Sequence, residues 1–278
     1  MQFIQPSAAK LNLSLRVTGR RGDGYHHIVS LFLRLPPAEM LLIAETQDGQ
    51  DSVRTQGMEI AGENVAARAL RHAREKGLHV PFLDVEIFKT LYPGSGLGAG
   101  SGNAAAILRW LAGAEEGLWR DAALQTGADV PFLFSGLPVA LASGVGEALE
   151  PLEPLGGVFV TVAFPRWTVE TGKAYERLDR WYGNAYPLDE TAARVEAEAL
   201  YQRLRAGEFV GLLPNDFAPY LMKSFPDYLG LFELFDRTGH IAWGITGSGG
   251  AAFALSTVPR TVPWPPNIHR VLSIQLTA

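Results

Sequence analysis

The chain has 278 residues, room for one large domain or two of ordinary size. Hydrophobic residues make up 47% and charged residues 19%, a globular balance that argues against disorder. The net charge of −5 disfavours a general nucleic-acid binder, and the lack of Cys excludes disulfides, thiolate metal sites and Cys nucleophiles.

The opening residues MQFIQPSAAK hold no basic stretch followed by a long apolar run, so no signal peptide is expected. No window approaches about 18 uninterrupted apolar residues, so no membrane span is expected. A cytoplasmic protein fits this reading. Residues 10–18, KLNLSLRVT, alternate cleanly. Leu11, Leu13, Leu15 and Val17 share one face, and Lys10, Asn12, Ser14 and Arg16 the other, which predicts a half-buried strand. Taken alone, the polar face reads as a solvated one.

A turn rich in Gly and Asp follows, GRRGDGYH. It leaves Tyr25 and His26 side by side, an aromatic face and an imidazole suited to stack on a base and bond its edge. A turn aromatic beside a surface His fits the same residues. Residues 28–35 and 38–45 read as strands. The spacing predicts a helix over 64–76, with Asn64 as its N-cap, and a strand over 83–89.

The stretch PGSGLGAGSGNAAAIL, 93–108, leads into a helix whose apolar face carries Ala104, Ile107, Leu108 and Leu111. Strand, glycine loop, helix is the order in which free backbone N–H groups and the positive end of a helix dipole face an anion. The loop is a weak fingerprint by itself. Its dinucleotide spacing is met only in the Gly/Ala variant, and Glu115 and Glu116 stand near the required distance but in a helix-ending segment. The P-loop pattern fails, because no Gly-Lys-Ser/Thr follows. A ligand-free glycine turn fits the same letters.

A helix is expected over 119–126. Asp129, in GADVPF, then reads by itself as a turn Asp bonded to local backbone. Strands are expected at 137–142 and 157–164. The Pro- and Gly-rich PLEPLGG, 151–157, marks a candidate junction, giving domains 1–152 and 153–278. Helices are expected at 170–181, 189–206 and 228–237, and strands at 241–246 and 251–256. Helices and strands mix in both halves, so the class is α+β or α/β in two domains.

Together these segments resemble the GHMP family of small-molecule kinases. The run KLNLSLRVTGRRGDGYH is similar to the pattern K-x-N-L-x-L-x-V-x-G-x-R-x-D-G-Y-H. LGAGSGNAA is similar to L-G-G-G-S-S-x-A-A, with Ala99 in place of Gly and Gly102 in place of Ser. GADVPFLFSGLPVALASGVGE and TGSGGAAFAL resemble two further family segments, and Asn215-Asp216 a third. The likeness runs from residue 6 to about 255.

The resemblance implies an α+β, two-domain GHMP kinase fold. It has an N-terminal nucleotide-binding α+β domain, a C-terminal ferredoxin-like domain and a substrate cleft between them. It implies ATP-dependent phosphorylation of an alcohol, with Mg²⁺. The Tyr-His ending points to a cytidine diphosphate methylerythritol acceptor of non-mevalonate isoprenoid synthesis.

By the same resemblance Lys10 and Asp129 form the catalytic pair. Asn64, Lys89, Gly94, Ser95, Gly96, Leu97, Gly98, Ala99, Gly100 and Ser101 are the ATP-binding candidates, with the Ser101 hydroxyl on the metal or a phosphate oxygen. Asn12, Tyr25, His26, Tyr175, Gly247, Ser248 and Gly249 are the substrate-binding candidates. No nucleic acid or membrane partner is expected, and the protein is a monomer or homodimer. The alternatives are another kinase of the family with a different alcohol, a non-catalytic nucleotide- or RNA-binding module, and a dehydrogenase with a variant loop. The acidic charge, and the presence of both Lys10 and Asp129, disfavour the binding module.

Overall fold

The computed structural model describes residues 1–60, 62–167, 169–183 and 185–276. In chain order they form β1 (Gln2–Arg20), β2 (His26–Glu45), β3 (Ser52–Gln56), α1 (Val65–Glu75), β4 (Leu83–Phe88), α2 (Ala99–Ala112), α3 (Glu116–Thr126) and α4 (Val130–Ser135). There follow β5 (Val139–Ser143), β6 (Ala148–Leu152), β7 (Phe159–Pro165), α5 (Thr171–Tyr182), α6 (Glu190–Arg205) and β8 (Gly211–Leu212). The last elements are α7 (Ala218–Ser224), α8 (Asp227–Arg237), β9 (Ala242–Ile245), β10 (Ala252–Ser256) and β11 (Ile268–Gln275).

These elements make two compact units. One comprises Met1–Lys10, Arg34–Pro93 and Gly98–Leu137; the other comprises Leu11–Leu33, Gly94–Leu97 and Pro138–Ala278. A single boundary at 152–153 is expected from the sequence; β1 and β2 each contribute residues to both units.

In the first unit Met40–Glu45 of β2 pairs antiparallel with β4, and β4 pairs parallel with β3. Leu83, Val85 and Ile87 of β4 are buried, while Asp84 and Glu86 on its other face meet Arg54 and Gln56 of β3. Ala66, Ala69, Leu70 and Ala73 give α1 one buried stripe at helical spacing. Asn64 starts that helix, its Oδ1 accepting the Ala66 N–H at 2.9 Å. Leu41 and Ile43 of β2, the three β4 residues, Ala66 and Leu70 of α1, and Ala106 and Ile107 of α2 form one core. Each large aliphatic buried there contributes roughly 1.5–3 kcal/mol.

The first turns of α2 are built from small residues so that the helix can lie on backbone. A Cβ added at Gly102 would stand 1.9 Å from the Ala8 carbonyl oxygen. That contact explains why Gly stands where the family pattern has Ser.

In the second unit a five-stranded sheet runs in the order β11-β7-β10-β9-β8, antiparallel except for the short β8–β9 pair. Its central strands β7 and β10 are buried at almost every residue, and α8 lies against β9 and β10. Ser30–Leu33 of β2 pairs with β5, and β5 with β6. Ala193 and Ala197 of α6 pack on Val29 and Leu141 there.

Two expectations are corrected. The strand at 10–18 is not half-buried: every residue from 7 to 15 is buried, with Lys10 at 3% and Asn12 at 4% exposure. The strands expected at 28–35 and 38–45 are one strand. Pro36 and Pro37 are exposed and lie between its pairing with β5 and its pairing with β4, so their missing N–H groups cost no ladder bond. No described helix is long and apolar enough to cross a membrane.

Candidate active site

Asp129 immediately precedes α4, and its side chain makes no capping bond to that helix. Its Oδ2 instead lies 3.3 Å from Lys10 Nζ. The Lys10 side chain is 4% exposed and the Asp129 side chain 29%. Burying an ammonium is tolerated because a carboxylate faces it.

Gly98 closes the pair from another side. It is the N-cap of α2, in the left-handed conformation at φ +65°. A Cβ there would stand 3.1 Å from Asp129 Oδ2 and 3.2 Å from Lys10 Cε. Glycine therefore lets the helix end rest directly on the ion pair. The first intrahelical bond runs from the Gly102 N–H to the Gly98 carbonyl, at 2.8 Å. The N–H groups of Ala99, Gly100 and Ser101 thus have no partner within the helix, and they carry the positive end of its dipole. One small region so combines backbone N–H donors, a buried cation and a partly exposed carboxylate.

In the second unit, Gly94–Leu97 interlocks with the turn between β9 and β10. A Cβ at Gly96 would stand 2.2 Å from the Thr246 carbonyl oxygen, and one at Gly250 would stand 2.1 Å from that of Gly94. Thr246 Oγ1 donates to the Gly96 carbonyl at 3.3 Å and accepts the Asn12 N–H at 3.1 Å. Asn215 Nδ2 donates to the carbonyls of Ile245 and Gly247. Ser248 Oγ donates to Thr171 Oγ1 at 3.1 Å. Gly247, Ser248 and Gly249 are therefore brought to this part of the glycine loop. Asn12 Nδ2 donates to Ser30 Oγ at 2.9 Å.

Tyr25 is 61% exposed and His26 is 8% exposed. The His26 ring stacks on Tyr175, with centroids 4.6 Å apart, and meets Tyr186 edge-on at 6.2 Å. That spacing leaves no room for a base between His26 and Tyr175. His26 Nε2 lies 2.7 Å from Asp179 Oδ1, which also accepts from the Tyr186 hydroxyl at 2.6 Å. Burial works against the Asp179 charge, but the bonds from Tyr186 and His26, with Arg20 nearby, outweigh it and hold the carboxyl below its usual range.

The remaining candidates stand differently. Asn64 spends its Oδ1 on capping α1. Lys89 Nζ is 2.7 Å from Glu39 Oε2, both side chains almost wholly buried. Glu39 Oε1 also accepts the N–H groups of Thr90 and Leu91. Among the described residues no group of three or more His, Asp or Glu is placed to hold a metal ion. The residues that the sequence did not single out are Asp179, Tyr186, Thr246 and Glu39. Asp179 had a signal: it stands four residues after Tyr175, on the same face of α5.

No family model matches the chain. It is 35% identical over 266 residues to the 4-diphosphocytidyl-2-C-methyl-D-erythritol kinase of Nitratidesulfovibrio vulgaris, covering 90% of this chain and 88% of the relative. The fold superimposes on a crystal structure of 4-(cytidine 5'-diphospho)-2C-methyl-D-erythritol kinase with a TM-score of 0.69, at 30% identity, over 92% of this chain and 90% of that one. Mevalonate kinase from methicillin-resistant Staphylococcus aureus shares the fold at a TM-score of 0.58 and 16% identity, over 100% of this chain and 99% of its own. The α+β architecture is thus that of the GHMP kinases, and the chain belongs to the 4-diphosphocytidyl-2-C-methyl-D-erythritol kinase family.

Proposed function

We propose that this protein transfers the γ-phosphoryl group of ATP to a hydroxyl of 4-diphosphocytidyl-2-C-methyl-D-erythritol, giving the 2-phosphate, a step of non-mevalonate isoprenoid precursor synthesis in the cytoplasm. The observation that carries the reading is the Lys10–Asp129 pair held against the N-terminus of α2.

Phosphoryl transfer asks a protein for positioning and charge stabilisation. The glycine-lined start of α2 offers backbone donors to the phosphates. A bound Mg²⁺ would supply neutralisation of phosphate charge. On the chain's side the Ser101 hydroxyl would help to hold it. The substrate oxygen attacks the γ-phosphorus, its proton passes to the Asp129 carboxylate, and ADP leaves. Lys10 keeps Asp129 oriented, and the carboxylate mainly aims the hydroxyl. Tyr25 offers an exposed ring to stack on the cytosine, and His26 bonds its edge. Tyr175 acts by bracing His26, and the turn at Gly247–Gly249 supports the loop. Asn12 contributes to the methylerythritol end.

The test is ATP consumption by the purified protein with the cytidine acceptor, run beside Asp129→Asn and a panel of other alcohols. The expected result is turnover with the cytidine acceptor that the substitution abolishes. Equal turnover with and without Asp129 contradicts the mechanism. Preference for another alcohol contradicts the substrate.

A further inference from the structure

We infer that Asp179 is a positioning residue that sets base choice by fixing the proton on the His26 ring. The inference rests on the reading above, in which His26 bonds the edge of the base.

A carboxylate accepts hydrogen bonds and donates none, so the 2.7 Å contact between Asp179 Oδ1 and His26 Nε2 places the imidazole proton on Nε2. Nδ1 of the neutral ring is then an acceptor. Asp179 is itself held, by the Tyr186 hydroxyl on one oxygen and by Arg20 Nη1 at 3.3 Å on the other. The ring cannot easily swing away. Tyr175 covers one face, and Phe217 braces Tyr175 edge-on at 4.9 Å. A carboxylate that orients a histidine and selects its tautomer is a recurrent device in hydrolytic triads.

An acceptor at Nδ1 tells the two pyrimidines apart. Cytosine carries an amine at its C4 position, a donor, while uracil carries a carbonyl there, an acceptor. The amine completes a hydrogen bond. The carbonyl would set lone pair against lone pair, and an unsatisfied buried pairing is costly. Without Asp179 the ring is free to take the Nδ1–H form, which serves the carbonyl, and the preference narrows.

Two experiments test this. Nitrogen-15 NMR of His26 in the unsubstituted protein reads the tautomer directly. A protonated Nε2 with a bare Nδ1 is expected, and the opposite pattern overturns the inference. Steady-state kinetics then compare Asp179→Ala with His26→Ala on the cytidine acceptor, its uridine counterpart and ATP. Asp179→Ala should raise KM for the cytidine acceptor by about tenfold or more, narrow the cytidine-over-uridine preference, and leave kcat and the KM for ATP within about threefold. Tyr186→Phe, which keeps the carboxylate, should shift KM the same way by less, and it serves if Asp179→Ala folds poorly. A normal cytidine KM and preference in folded Asp179→Ala, with both lost in His26→Ala, overturns the role of Asp179 and leaves the base reading intact. A normal cytidine KM in His26→Ala overturns the base reading itself.

Discussion

Two lysines of the first unit each bury an ammonium against a carboxylate. Lys89 Nζ lies 2.7 Å from Glu39 Oε2, with side-chain exposures of 2% and 1%. The other Glu39 oxygen is taken by two backbone N–H groups. Lys10 Nζ lies 3.3 Å from Asp129 Oδ2, and Asp129 keeps 29% of its side chain exposed beside the bare end of α2. The first pair is closed: neither carboxylate oxygen is left for a ligand, and its work is to tie β2 to the end of β4. The second is open to an incoming group. A buried lysine is read best through what its carboxylate partner still has to give.

Substitutions can break this comparison, starting with the largest effect. Asp129→Asn and Lys10→Ala should each lower kcat by ~10²–10⁴-fold. Both variants should stay folded but lose some stability, less than a Lys89 variant does, because Asp129 is partly exposed while Glu39 is not. Lys89→Ala should leave Glu39 buried and uncompensated, at a cost of roughly 3–5 kcal/mol by denaturant unfolding, while kcat of the folded fraction stays within about threefold. Replacing both Lys89 and Glu39 by apolar residues of similar volume should recover only part of that loss, because the Thr90 and Leu91 N–H groups then lose their acceptor.

Gly102→Ser restores the family residue yet meets the Ala8 carbonyl, so it should destabilise by about 1–3 kcal/mol. The finest contrast is between Gly98→Ala and Gly57→Ala. Both glycines have positive φ, +65° and +87°, so each change should cost about 1–2 kcal/mol of stability. A Cβ at 98 presses on Asp129 and Lys10, whereas one at 57 meets the Lys89 backbone carbonyl at 2.8 Å. Gly98→Ala alone should therefore also lower kcat, by about tenfold.

Much of the fold is legible in the letters, and the gaps have physical reasons. The helices expected at 64–76 and 189–206 both form, the first with its expected cap Asn64. The strands β3, β6 and β11 went unread. Each is an outer strand with largely exposed or half-buried residues, so no apolar period marks it. The short helices α4 and α7 carry Pro131 and Pro219 as their second residues, which read as loop signals but are well suited to a first helical turn.

The site was less legible. Strand period places Lys10 beside Asn12 and Ser14, but nothing local ties it to Asp129. That link came from the family resemblance, and the two side chains do meet. Lys89 shows the limit, since its partner Glu39 lies 50 residues away behind two prolines and carries no pattern of its own.

The most direct measurement sets Asp129→Asn beside Lys89→Met, each assayed for phosphorylated product and for thermal unfolding. The account predicts a folded, silent Asp129 variant and an active, less stable Lys89 variant. An active Asp129→Asn together with a stable, silent Lys89→Met would reverse the assignment of the two pairs and contradict it.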